Sequence, residues 1–235
     1  LNCSVKAILV IIFTLSFGWA QSGKIIISGA FDCPLSGGTP KGVELFVRED
    51  VSDLDDYALG SANNGGGTDG AEFTGMDGSA SAGTYIYVAY EGSNDGSFTT
   101  FFGFAPDYEH SAMSINGDDA IELFYTADDG SSWTVIDVYG EIGNTDESSF
   151  EYMDAWSKSK PLRSTSTTFS ASNWNLGGEN CLDGESTNAA ASTPFPIGGA
   201  PIKGDDGFRM MSSPVAGTVY DNILDPLWIQ GMTNG

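Results

Sequence analysis

The side chains that could bind a metal ion are concentrated in two Gly-rich turns. One turn is SANNGGGTDG, residues 61–70, and the other is ADDGSS, residues 127–132. Carboxylate and amide oxygens are the ligands that calcium prefers in proteins, although neither turn has the Asp-x-Asp-x-Asp-Gly spacing of an EF-hand. The sequence therefore offers five calcium candidates, with solvated turn residues as the simpler interpretation: Asn63, Asn64, Asp69, Asp128 and Asp129.

A third acidic stretch, Gly117-Asp118-Asp119, stands before the apolar run Ala120–Tyr125, which itself contains Glu122. These carboxylates either do chemistry or mark the start of a strand. Pairs of carboxylates hydrolyse glycosides, but Asp and Glu together number 32 in this chain. Their presence alone therefore does not predict an active site.

Other catalytic arrangements are not indicated. The chain has one histidine, His110, and it lacks the Gly-x-Ser-x-Gly elbow that often presents a catalytic serine. A zinc site needs three or four His or Cys ligands, which one histidine and the cysteines hardly supply. The Gly-rich residues 61–70 follow no strand-helix unit, so a phosphate-binding loop is not predicted. We expect a chain that is not an enzyme and has no cofactor apart from the calcium considered above.

Aromatic side chains are a different candidate for ligand binding. They alternate in YIYVAY, residues 85–90, and cluster again shortly afterwards. Exposed aromatic rings bind the faces of sugars or the surfaces of partner proteins, but such rings also pack well in a core. Both interpretations stay open for Tyr85, Tyr87, Tyr90, Phe101, Phe102 and Phe104.

The N-terminus predicts export. Residues 5–20, VKAILVIIFTLSFGWA, contain one lysine before an apolar run that ends in small residues, which is typical of a secretory signal peptide cleaved between Ala20 and Gln21. The run is short for a membrane-spanning helix. We therefore expect a secreted or cell-surface protein, with residues 1–20 as signal peptide and no membrane insertion after cleavage.

The charge of the chain argues against nucleic acid as a partner. It contains 32 acidic and 9 basic residues, and its net charge of −23 becomes −24 if Lys6 is removed with the signal peptide. Phosphate backbones and anionic membranes repel a protein of this sign. The simpler interpretation is solubility in salty water, where charges are screened over about 8–10 Å.

Two cysteines, Cys33 and Cys181, remain after the predicted cleavage. An even pair in an exported protein predicts a disulfide. Two free, buried thiols are the alternative.

Short alternating runs separated by Gly, Asn and Ser predict an all-β fold, an antiparallel β-sandwich. In VELFVR, for example, Val43, Leu45 and Val47 share one face. Residues 120–125 and 133–139 form a predicted hairpin across an Asp-Asp-Gly-Ser turn. The other predicted strands are residues 24–28, 43–48, 84–90, 150–156 and 169–176, with one helical turn at 97–103.

The composition changes after Cys181. Residues 184–202 are small, polar and interrupted by proline, which predicts a flexible linker. Residues 203–235, with a short predicted helix at 221–230, are too few to bury a core alone and are predicted to begin a further, incomplete domain. The sandwich, residues 21–183, is predicted to fold without them.

Five segments in a fixed order resemble the bacterial lamin tail domain family. They are ISGAFDCPLSGGTPKGVELFV, LDDYALGSANNGGGTDGAEFT, GTYIYVAY, FFGFAPDY and INGDDAIELF followed by VIDVYGEIG, and the resemblance covers roughly residues 24–183. It implies an immunoglobulin-like β-sandwich and the N-terminal part of a larger exported surface protein. It also implies that Gly117-Asp118-Asp119 is a turn entering a core strand, with Glu122 on the less buried face.

Two functions follow from this resemblance. The first is a non-catalytic module for binding, adhesion or spacing at the bacterial cell surface or in the extracellular matrix, with an unidentified protein or polysaccharide as partner. The alternative is an accessory domain of a larger secreted hydrolase, such as an extracellular nuclease or phosphatase, whose catalytic part lies outside this chain.

Overall fold

Two β-sheets account for most of the regular structure in the computed structural model, which describes residues 23–198. The strands are β1 (Ile25–Leu35), β2 (Thr39–Val47), β3 (Tyr57–Ala62), β4 (Tyr85–Tyr90), β5 (Tyr108–Glu109), β6 (Ala120–Tyr125), β7 (Thr134–Tyr139), β8 (Trp156–Ser159) and β9 (Trp174–Leu176). One short helix, α1 (Ser97–Phe102), and several single 3-10 turns complete the described part.

The strands pair mainly antiparallel. One sheet has the order β5-β4-β2-β1-β8-β9, and the other has the order β3-β6-β7. The only parallel pair in the described chain joins β4 to the two-residue β5. The predicted all-β, sandwich-like fold is therefore confirmed, as is the hairpin formed by β6 and β7.

The main core lies between the two sheets. Val43, Leu45 and Val47 of β2 are fully buried there, as their alternation predicts, and they belong to the same apolar cluster as Leu59 of β3 and Leu123 of β6. The face of each sheet that is turned away from this core is covered by loops and by α1.

A second core covers the other face of the six-stranded sheet. Phe31 of β1 contacts Phe98 and Phe102 of α1 and Phe195 near the end of the described chain, in edge-on pairs with centroids 5.1–5.8 Å apart. Such pairs are favourable beyond the apolar area that they bury. Both faces of this sheet are therefore buried.

The predicted flexible linker is wrong for residues 184–198. Phe195 is 1% exposed. The Asn188 side chain accepts a hydrogen bond from the Phe195 N–H and donates one to the Phe195 carbonyl oxygen. The backbone N–H of Gly198 donates to Glu44 on β2. One buried aromatic side chain, Phe195, and the hydrogen bonds of Asn188 and Gly198 hold this segment on the sheet. Its sequence has no periodic apolar pattern that would have indicated this packing.

The predicted strand at residues 150–156 is also misplaced. Phe150 and Tyr152 are buried in the main core from an irregular segment, and Asp154 takes the left-handed conformation with φ 43°. That conformation interrupts an extended chain, so β8 begins only at Trp156. Strands β3 and β5 were not predicted.

The signal peptide predicted at residues 1–20, the region 203–235 and the helix predicted at 221–230 lie outside the described residues. Within the part that is described, no helix has the length and apolar character needed to cross a membrane.

Candidate functional site

A cleft of about 280 Å³ opens beside the N-terminus of α1. The loop that follows β4 turns through Gly92 and Gly96, both with positive φ, and brings Glu91 under the first turn of the helix. The Glu91 carboxylate accepts hydrogen bonds from the backbone N–H groups of Gly96 (2.6 Å) and Phe98 (2.5 Å). Glu91 therefore caps the helix, because those N–H groups have no partner within it.

Two exposed carboxylates meet Glu91 at this cleft. Carboxylate oxygens of Glu91, Asp95 and Glu109 all lie within 4.8 Å of one another. Partial burial, followed by the charges of Glu91 and Asp95, raises the pKa of Glu109. The group offers only hard oxygen atoms, so its simplest chemistry would be the attraction of a cation.

His110 also lines the cleft, but its contacts indicate a structural role. Its Nδ1 accepts a hydrogen bond from the N–H of Ala112 (3.1 Å), which caps a 3-10 turn. Its ring stacks on Phe73 with centroids 4.7 Å apart. One imidazole nitrogen is thus occupied by the backbone, and the ring is held by its neighbour.

The five calcium candidates do not come together. Ala62 pairs with Ala120 at one end of the β3–β6 ladder, and Tyr57 pairs with Tyr125 at the other end. Asn63, Asn64 and Asp69 follow the first end, whereas Asp128 and Asp129 follow the second. A six-residue strand spans about 17 Å, so one ion cannot be shared between the two turns.

Asp128 forms a turn of its own. Its carboxylate accepts hydrogen bonds from the Thr126 hydroxyl (2.7 Å) and from the Ser132 N–H (2.9 Å) and hydroxyl (2.7 Å). These bonds lower the pKa of Asp128. Asp129 adopts φ 55° beside it. The solvated-turn interpretation accounts for this pair.

Asp119 organises the turn that enters β6. Its carboxylate accepts hydrogen bonds from the N–H groups of Asn64 and Asn116, both at 2.7 Å. Asn64 stands in the left-handed conformation, with φ 52°. The acidic stretch at residues 117–119 thus ties two loops together.

Glu122 departs from the expectation of a less buried position. It lies on the face of β6 that is turned away from the main core, since Ile121 and Leu123 occupy the core side. Its exposed fraction is nevertheless only 2%. A loop covers that face, which no local sequence pattern predicted.

Cys33 and Cys181 are free thiols in the structure. Cys33 is buried in the second core, and Cys181 packs against the same cluster. Burial raises the pKa of both thiols. The predicted disulfide is therefore not present in the structure, which has the two thiols of the alternative interpretation, with Cys181 only partly buried.

The aromatic residues proposed as a ligand platform pack on one another. Tyr87 contacts Phe98 and Phe104 with centroids 5.8 and 5.0 Å apart. Phe101 is 1% exposed and Phe102 is 8% exposed. The second core, rather than an open surface, accounts for most of this group.

The predicted site residues do not include the cleft carboxylates or the partners of the buried charges. In YEGSNDGS, residues 90–97, an acidic residue ahead of two glycines and a short helix is a capping signal that could have identified Glu91. No local signal pairs Glu44 with Lys158, which are 114 residues apart in the sequence.

Comparisons of the chain with protein-family models, with curated proteins and with solved structures found no match.

Proposed function

We propose that residues 21–198 are an exported, non-catalytic β-sandwich module that binds or spaces at the bacterial cell surface or in the extracellular matrix. The proposal keeps the resemblance to the lamin tail domain family and its immunoglobulin-like sandwich. It also keeps the signal peptide, which the sequence of residues 1–20 supports.

One observation carries the non-catalytic part of the proposal. In the cleft beside α1, the buried carboxylate and the imidazole are both engaged by backbone N–H groups. Both carboxylate oxygens of Glu91 accept such bonds, and so does Nδ1 of His110. A general base must be aimed at the proton that it takes, and the backbone N–H groups fix the orientation of Glu91 and His110 for the fold.

The buried ion pairs support the same conclusion. Glu44 is fully buried and contacts Lys158, while its other oxygen accepts from the Tyr87 hydroxyl (2.9 Å). The pair joins β2, β4 and β8 and lies under Phe195, 5.0 Å from Lys158 Nζ to the ring centroid. Charges placed this way fix the arrangement of strands instead of facing a substrate.

The test uses the purified full chain and two readouts. The chain is mixed with insoluble cell-wall and matrix polysaccharides, and the fraction that is depleted from solution is measured. The chain is also incubated with phosphodiester, phosphomonoester and glycoside substrates. Saturable depletion without turnover is the expected result. Turnover that disappears in both the Glu91→Gln and the His110→Ala variants would show that the cleft is an active site.

A further inference from the structure

The buried ion pair of Asp32 and Lys41 differs from the pairs that Glu44 and Asp137 form. Glu44 and Asp137 have both carboxylate oxygens engaged by hydrogen bonds. Asp32 Oδ1, in contrast, lies 3.3 Å from Lys41 Nζ but has no hydrogen-bond partner among the described residues. The side chains of Lys41 and Asp32 are only 11% and 6% exposed. A buried carboxylate oxygen with an unused lone pair thus stands beside a lysine amine.

The two strands that carry this pair fix its direction. Asp32 and Lys41 are direct partners in the antiparallel β1–β2 ladder, and so are Ala30 and Val43. Ala30 and Val43 both belong to the main core. Since side chains two residues apart in a strand share a face, Asp32 and Lys41 lie on the face of the six-stranded sheet that is turned toward the other sheet.

The turn that enters β6 presents Asn116 to this pair. The N–H of Asn116 donates to Asp119 Oδ2 (2.7 Å), and the N–H of Asp119 donates to the Asn116 carbonyl oxygen (3.0 Å). The neighbouring Ile115 is fully buried in the main core. Lys41 Nζ donates to Oδ1 of this fixed asparagine, which is 75 residues away in the sequence. One lysine nitrogen therefore lies against both a carboxamide and a buried carboxylate.

This arrangement places a nucleophile against an acyl group. Cγ of Asn116 is about 1.2 Å from Oδ1, so Lys41 Nζ lies close to the separation of about 3–3.5 Å at which reacting atoms attack. A lysine amine is a nucleophile only after it has lost its extra proton. Burial, partly opposed by Lys41, raises the pKa of Asp32 from 3.8 to about 6, which makes Asp32 a better acceptor for that proton.

We propose that the side chains of Lys41 and Asn116 join in an intramolecular amide bond, with Asp32 as the general acid and base of the reaction. A proton first passes from Lys41 Nζ to Asp32. The uncharged amine then forms a bond to Cγ of Asn116, while Asp32 takes a second proton from Nζ and gives one to Nδ2. The bond between Cγ and Nδ2 breaks, and ammonia leaves. One amine and one carboxamide thus become one amide and ammonia, and no oxidant or co-reactant is needed.

The cross-link fastens the two sheets to each other. Lys41 is on β2 of the six-stranded sheet, and Asn116 leads into β6 of the three-stranded sheet. Asn116 is exposed, which leaves ammonia a path to solvent. The reaction occurs once in each molecule and turns over no substrate, so it goes beyond the proposed function and does not depend on it.

The test is peptide mapping of the purified full chain by tandem mass spectrometry after chymotryptic digestion. We expect one cross-linked pair of peptides that contains Lys41 and Asn116 and is lighter than the two separate peptides by about 17 Da, the mass of ammonia. Mapping distinguishes this product from the cyclisation of an N-terminal glutamine such as Gln21, which also releases ammonia. The proposal is overturned if Lys41 and Asn116 are found only in separate, unmodified peptides.

Three variants test the role of each residue. Lys41→Arg keeps the positive charge but has no amine to form the bond, so its map should contain no cross-linked peptide. Asp32→Ala removes a general base, which contributes about 10²–10⁴ to a rate, and should lower the cross-linked fraction at least about tenfold. Lys160→Arg changes an exposed side chain; it is the matched control and should keep the cross-link in full. A complete cross-link in Asp32→Ala would contradict the role of Asp32, and if that variant does not fold, the wild-type map alone decides.

Discussion

Arg163 and Asp137 form a buried, two-pronged ion pair, with Nη1 2.7 Å from Oδ1 and Nη2 2.6 Å from Oδ2. The same arginine donates to the Ile27 carbonyl on β1, and the same carboxylate accepts from the Ile27 N–H. Since Asp137 is on β7, this pair connects the two sheets. The ring of Trp174 covers the Arg163 guanidinium, with its centroid 4.7 Å from the guanidinium carbon.

Replacing Arg163 by Met should therefore lower the free energy of unfolding by about 3–5 kcal/mol, because it leaves Asp137 charged and buried without its partner. The measurement is chemical denaturation at neutral pH. Lys160→Met is the matched control, since Lys160 is exposed and its Nζ donates to the Ser172 carbonyl; a loss below about 1 kcal/mol is expected there. Similar losses in both variants would contradict a special role for the sheet-bridging pair.

The C-terminal part of the described chain should be needed for stability. Phe195→Ala opens the second core beside Phe31 and Trp156, and we expect a loss of about 3–5 kcal/mol. A chain ending at Asp183 should unfold at a clearly lower temperature than one ending at Pro201. Equal midpoints of thermal unfolding for the two shortened chains would instead support the flexible linker that the composition predicts.

Asp32 predicts a dependence of stability on pH. Burial, only partly offset by Lys41, raises its pKa from 3.8 to about 6. Between these values the folded state holds a proton on Asp32 that the unfolded state has lost. Its contribution therefore favours folding increasingly as the pH falls from above 6 to about 4, by up to about 3 kcal/mol.

Denaturation curves of the wild type and of Asp32→Asn at several pH values measure this effect. The difference in stability between the two proteins should change across pH 4–6 and stay constant above pH 7. A difference that is flat from pH 4 to 8 would mean that Asp32 titrates normally.

Gly60 should resist substitution because of the loop that packs on it. Gly60→Ala places a methyl group 2.3 Å from the Gly70 carbonyl oxygen, which displaces the loop and should lower Tm by several degrees. Gly67→Ala is the control: its Cβ would meet no atom within 4 Å. Hydrogen exchange at the N–H groups of Glu72 and Phe73, which donate to Leu59, should accelerate only in Gly60→Ala. Unchanged exchange in that variant would contradict the packing described for the loop.

Local alternation was enough to predict some of these elements and not others. The β6 strand was predicted with the bounds that the structure shows, because its core-facing residues alternate and a polar turn follows. The two residues of β5 carry too short a pattern to identify. Burial by distant segments left no local trace: the loop over Glu122 and the anchor at Phe195 both depend on contacts far apart in the sequence.

The candidate site was harder to predict for the same reason. Glu91 and Glu109 are brought together by the parallel pairing of β4 with β5. No periodic pattern in the sequence predicts that pairing. Residue type alone suggests the calcium candidates, and solvent-facing turns share that composition with true sites. Only the structure shows that the hydrogen bonds of Asp128 are completed within its own turn.

Labelling of intact cells shows whether the module is displayed outside the cell. The full chain is expressed in a bacterium with an epitope tag at its C-terminus, and antibody binding is measured before and after external protease, with a cytoplasmic protein as control. We predict that intact cells or their medium carry the tag, that protease removes it from the cells, and that the control stays protected. A tag detected only after lysis, on a chain that still begins with residues 1–20, would contradict export of the module.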